Sequence, residues 1–183
     1  MKTPVSGIVP AVNDFPQLRL FLKSEYSRCV LMHWRISDLD TVFSALHGAG
    51  KTALIHCDLI SGLAPDEAGT AYLVGRLHPE GIISTKAAAI DQAKTLGVTA
   101  VQRVFLIDSA ALSKSAASVA RTKPDYVEFL PAPCPTLYPK LRATFGVPLI
   151  AGGLIATADE ALEILSRREI EAVTVSMSTL SRG

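Results

Sequence analysis

The chain lacks most of the motifs by which enzymes announce themselves. It has no CxxC pair and no clustered cysteine and histidine at ligand spacing, so no metal site can be read from it. A nucleophile elbow, a Walker loop, a GxGxxG fingerprint and an HExxH helix are all missing. Charge of one sign is missing too. Eighteen basic side chains face seventeen acidic ones, a net charge of +1, which gives no overall pull toward nucleic acid or an anionic membrane. No apolar run reaches the roughly 18 residues needed to span a bilayer, and the first residues show no charged-then-apolar signal pattern. Three cysteines, Cys29, Cys57 and Cys134, are an odd number, two of them inside apolar runs. Buried free thiols and a cytoplasmic setting are the expectation.

What is present is an apolar interior: 49% of the residues are hydrophobic and 19% charged. Short apolar runs alternate with helix-length segments. Strands are expected at 7–12, 29–33, 52–58, 81–84, 99–107, 125–130, 147–151 and 172–176. Helices are expected at 17–24, 38–48, 65–77, 86–96, 109–120, 136–144 and 158–168, with a last one little longer than 179–182. Pro65 suits a first helical turn, Ser37 and Ser109 suit caps, and Gly97 suits a stop. Helix-sized crossovers imply parallel pairing. An open doubly wound sheet is the rival, but eight strands with polar residues at their C-terminal ends favour an α/β closed barrel. The expected architecture is one compact (β/α)8 domain over 1–183, with short loops and a truncated last helix.

Those strand ends carry the candidate site. Pro148–Ile155 is an apolar strand that stops at Gly152 and Gly153, and Thr157 to Glu160 has the capping-box pattern that starts a helix. The next strand stops at Ser176, Met177 and Ser178. Two such ends side by side offer backbone N–H groups and hydroxyls to one point, which suits a phosphate; the alternative is that the glycines only make a tight turn. The third strand ends in His56, Cys57 and Asp58. Alternation puts His56 and Asp58 on one face, Asp58 either accepting from a ligand hydroxyl or capping the turn, and His56 reading as a core histidine before a base. Lys86 lies just past the fourth strand, where it opposes a helix dipole and calls for a compensating anion, from a ligand or a carboxylate; the alternatives are an ordinary solvated lysine and, last, a Schiff-base lysine. Arg103 and Glu128 lie within the neighbouring fifth and sixth strands. Neither charge can stand bare in a barrel wall, so they are expected to pair, as scaffold or facing a ligand.

His56–Leu63, Gly81–Lys86, Gln102–Ser109, Pro124–Glu128 and Ala151–Ile155, in this order, resemble the glycerol-3-phosphate-responsive antiterminators, regulators of bacterial glycerol uptake operons. The similarity runs from about Ile8 to Ser178. It implies a phosphate-binding barrel that senses glycerol 3-phosphate and acts on leader mRNA so that transcription passes a terminator. It also implies that Gly152, Gly153, Ser176 and Ser178 hold the phosphate while Asp58, Lys86 and Glu128 line the glycerol end. Met177 and the absence of a tryptophan-containing segment after it depart from the family pattern. No catalytic residue, metal or cofactor is expected beyond the effector; no membrane is expected, and self-association is left open. The basic residues are scattered and carry no RNA-binding signature, so RNA binding rests on the resemblance. The rival is a (β/α)8 enzyme acting on a small phosphorylated substrate, an isomerase, aldolase or synthase.

Overall fold

The computed structural model describes residues 2–181. Eight strands alternate with eight helices: β1 (Gly7–Val12), α1 (Phe15–Lys23), β2 (Arg28–Leu31), α2 (Leu39–Gly48), β3 (Thr52–His56), α3 (Glu67–Leu77), β4 (Gly81–Ser84) and α4 (Ala87–Thr95) form the first half. The second half is β5 (Thr99–Phe105), α5 (Ser109–Thr122), β6 (Tyr126–Leu130), α6 (Tyr138–Phe145), β7 (Leu149–Gly152), α7 (Ala158–Leu165), β8 (Ile170–Ser176) and α8 (Met177–Leu180). Every strand pairs in parallel with the next, and β8 returns to β1 with Ala11 opposite Ser176. The result is a closed (β/α)8 barrel, as the alternation implies.

Strand alternation divides the apolar residues into two sets. Val9, Val30, Leu54, Ile83, Val101, Ile150 and Ala172 point inward and fill the barrel with Val5 beneath them. Their neighbours, such as Leu31, Ile55 and Ile82 on one side and Val127, Phe129 and Val173 on the other, pack outward against the helices. Fully burying a residue of this size is worth about 1.5–3 kcal/mol. These two layers are therefore what hold the strand ends in place.

The helix starts differ from expectation at three points. α3 starts at Glu67, so Pro65 stands before the helix and not in its first turn, and Asp66 is the cap, its carboxylate accepting from the Gly69 N–H at 2.8 Å. Asp108, not Ser109, caps α5 through the Ala111 N–H at 2.7 Å. Ser37 lies within a 3₁₀ turn, Ile36–Asp38, that leads into α2 without a side-chain cap. At α3 and α5 an aspartate carries full charge at the helix dipole, where a serine or proline does not. The box before α7 forms: Thr157 accepts from the Glu160 N–H at 3.1 Å, and Glu160 accepts from the Ala156 N–H at 2.8 Å. Gly97, at φ +76°, comes after α4 as a stop. The last helix begins earlier than expected, at Met177, whose side chain is buried with Leu18, Phe21 and Trp34; Arg182 lies outside the described residues.

Candidate functional site at the C-terminal ends of the strands

The upper barrel interior is closed by an ionic network. Arg103 on β5 and Glu128 on β6 stand opposite one another in register and pair in a fork, Nε to Oε2 at 2.7 Å and Nη2 to Oε1 at 3.0 Å. Glu128 is fully buried and also accepts from the Thr174 hydroxyl of β8 at 2.6 Å. Thr174 reaches Glu128 across β7 because Gly152 stands between them with no side chain. A Cβ there would lie 2.4 Å from Thr174 Oγ1 and 3.1 Å from Glu128 Oε1. Gly152 therefore makes room for the network, beneath the mouth. The expected pair is present, and Glu128 spends its carboxylate inside the wall.

Above the network lies a cavity of about 210 Å³, walled by Ala11 and Asn13 from β1 and its end, Met32 after β2, Arg103, Gly153 and Ser176. Arg103 turns toward the cavity the guanidinium edge that Glu128 does not use. There Nη1 and Nη2 meet the Met32 sulfur at 3.7 Å, a weak acceptor for so strong a donor. Gly153 and Leu154 carry the chain over the cavity edge with consecutive positive φ values, +76° and +58°. Leucine in this conformation is strained, by an amount on the order of 1–3 kcal/mol. Ser176 and Ser178 form a hydroxyl pair, Oγ to Oγ at 2.7 Å, with the Ser178 N–H directed at Ser176 Oγ at 3.3 Å. Of the phosphate candidates, Gly153 and Ser176 line the cavity, Ser178 stands behind Ser176, and Gly152 lies below.

The remaining candidates sit elsewhere. The strand period ends at His56, and Cys57–Leu59 coils into a 3₁₀ turn, so Asp58 does not share the His56 face. Asp58 instead latches the end of β4: it accepts from the Ser84 hydroxyl, from the Thr85 N–H at 2.9 Å and from the Thr85 hydroxyl at 2.6 Å. Burial works against its charge, but the Ser84 and Thr85 bonds prevail and hold the carboxyl below its ordinary range. Lys86 is exposed and makes no ion pair among the described residues. Neither Asp58 nor Lys86 lines the cavity. His56 is a core residue: desolvation, then the Arg103 charge, push its pKa down to about 4, and its Nδ1 has no partner. It stays neutral through the neutral range.

Asn13 and Met32 belong to no motif in the sequence, and strand logic points to Arg103 only as the partner of Glu128. One signal for Asn13 exists. Ala11 and Asn13 alternate with the buried Val12, so an asparagine one step past the strand end is on the inner face.

Fold and cavity together define a compact (β/α)8 barrel with an arginine-floored cavity, largely apolar in its walls, at the ends of β7, β8 and β1. Within that class, the chain belongs to the glycerol-3-phosphate responsive antiterminator family, whose sequence model matches residues 8–181. It is similar in structure to a glycerol uptake operon antiterminator regulatory protein from Listeria monocytogenes, with a TM-score of 0.92, 32% identity and 100% of both chains covered. A glycerol uptake operon antiterminator-related protein from Thermotoga maritima superposes with a TM-score of 0.82 at 28% identity, over 96% of this chain and 98% of the other. In sequence the chain is 31% identical to the uncharacterized protein YgcP of Escherichia coli, over 96% of this chain and 90% of that one.

Proposed function

We propose that this protein is a glycerol 3-phosphate sensor that acts on the leader mRNA of a glycerol utilisation operon and lets transcription pass a terminator. The observation that carries the reading is the cavity above the Arg103–Glu128 network, where a guanidinium edge, the Gly153–Leu154 turn and the Ser176 hydroxyl meet. A phosphate seated there meets a charge-assisted donor and a hydroxyl, while the carbon chain has Ala11 and Met32 to lie against. Gly153, Ser176 and Ser178 hold the phosphate in this reading, joined by Arg103. Asp58 and Glu128 act from behind, keeping the strand ends and the guanidinium in position. A protein working on nascent transcripts acts in the cytoplasm, and no helix among the described residues is long and apolar enough to cross a membrane.

The reading is one of binding without turnover. The ionisable groups near the cavity are committed: Glu128 to Arg103 and Thr174, and His56 to a buried neutral state. That leaves no nucleophile matched to a base. Calorimetry is expected to register glycerol 3-phosphate, with free glycerol much weaker and Gly153→Val abolishing both. A gel shift on the operon's own leader RNA is expected to respond to glycerol 3-phosphate. Recovery of glycerol 3-phosphate unchanged after prolonged incubation supports a regulator, whereas its consumption would move the protein among the barrel enzymes.

A further inference from the structure

The two most exposed large apolar side chains among the described residues belong to one side of the barrel mouth. Ile107, between β5 and α5, is 85% exposed, and Leu154, between β7 and α7, is 78% exposed. Leu137, on the intervening connection from β6 to α6, is exposed as well. Backbone hydrogen bonds tie these connections to one another: the Leu106 N–H donates to Leu130 O at 2.8 Å, and the Ala132 N–H donates to Gly153 O at 3.2 Å. Between α5 and α6 the surface hollows into a groove walled by Leu106, Leu112, Leu137 and Leu141. A monomer rarely leaves so much apolar surface together and uncovered.

Charge around this patch is divided by side. The helices α5 and α6, packed on one another, carry Lys114, Arg121, Lys140 and Arg142 and no acidic residue. The next helix, α7, carries Asp159, Glu160 and Glu163 and no basic residue. Lys114 and Asp159 are both exposed, and neither makes an ion pair among the described residues. Nearer the centre the groove has one charge of each sign, Asp108 and Lys140. A surface that is apolar in the middle, basic on one flank and acidic on the other is complementary to itself after a half-turn. We infer that two copies of this chain pair through it, about a two-fold axis near Leu137. Ile107 of each copy then meets Leu154 of the other, and Lys114 of each faces Asp159 of the other. The pairing goes beyond the sensor reading and does not depend on it.

The test is sedimentation velocity on the full chain at low ionic strength, with and without glycerol 3-phosphate. Wild type is expected to be a dimer at roughly 100 μM, above the micromolar range in which a modest interface assembles. Ile107→Glu is expected to weaken the dimer by about tenfold or more, with the urea midpoint unchanged because the side chain is exposed in the monomer. Lys114→Glu and Asp159→Lys each bring like charges together in both symmetric contacts, and each alone is expected to weaken the dimer by roughly tenfold. Mixing these two variants restores opposite charges in both contacts, so the mixture is expected to form heterodimers close to wild type in affinity. A wild type that stays monomeric in both conditions, a dimer that survives Ile107→Glu, or a mixture that fails to associate each overturn the inference. A monomer that binds leader RNA and loses it in Ile107→Glu assigns the face to RNA and overturns the second copy.

Discussion

Glu128→Gln is the substitution that separates wall from ligand site most sharply. In the native wall Glu128 is fully buried and takes three hydrogen bonds, two from Arg103 and one from Thr174. Arg103 is itself only 8% exposed, so its charge has little water to fall back on. The amide keeps one acceptor oxygen, but its NH₂ must face a guanidinium that also donates or displace the threonine. Breaking one side of a buried pair costs about 3–5 kcal/mol. For a chain of this size that corresponds to a fall in melting temperature of roughly 6–20 °C. Urea unfolding monitored by circular dichroism, with the midpoint and slope fitted together, measures it. The double variant Arg103→Met/Glu128→Leu removes both charges and is expected to recover most of the stability, because an apolar pair of similar volume avoids the desolvation of two ions. It should also lose glycerol 3-phosphate binding, since Arg103 floors the cavity. A cost below about 1 kcal/mol for Glu128→Gln would refute the reasoning, because a guanidinium so buried cannot lose its counter-charge for so little.

Gly152→Ala places a Cβ 2.4 Å from Thr174 Oγ1 and is expected to destabilise by about 1–3 kcal/mol, with Thr174→Ala on the same chain recovering part of the loss in a double-mutant cycle. Asp58→Ala frees Ser84 and the Thr85 N–H; it should cost about 1–3 kcal/mol in urea unfolding and leave glycerol 3-phosphate affinity within about twofold, as a latch behaves and a ligand residue does not. For His56, whose pKa falls from 6.5 to about 4 on folding, the unfolded chain binds the proton first as pH drops. Stability therefore declines between about pH 6.5 and 4, by up to about 3 kcal/mol, and His56→Gln should flatten that slope in urea midpoints taken across the range. Asp58 acts lower: its contribution is present above its ordinary pKa and disappears only as pH falls through the depressed one, so the two effects occupy separate windows.

The barrel is legible in the sequence because each strand is an apolar run too short for a helix, and each crossover a helix-sized segment. The Arg103–Glu128 pair is legible for a similar reason: two charges inside apolar neighbouring strands have nowhere else to go. What the sequence conceals depends on where alternation stops. Extending β3 by two residues puts Asp58 on the face of His56, whereas a 3₁₀ turn at Cys57 redirects it to β4. Gly152 reads as an opening for a ligand, but the groups it makes room for, Thr174 and Glu128, come from strands far apart in sequence. Asn13 sits just before a helix, where asparagine is an ordinary turn residue. Its buried, unpaired oxygen is a property of the closed barrel.

The pairing of β8 with β1 also sets a condition on when the cavity comes into being. Ala11 lies in the first strand and Asn13 just past its end, while Thr174 and Ser176 lie in the last strand. The two groups adjoin only after Gly7–Ala11 has paired with Ala172–Ser176. During synthesis the early strands leave the ribosome with their edge open and must wait for the eighth, a closure between the two most distant strands of the sheet, with a correspondingly large loop entropy to overcome. A nascent chain lacking β8 has half a wall and no pocket. In the proposed sensor reading, effector recognition is thus confined to barrels that have finished folding, and a partly made chain has no pocket with which to respond.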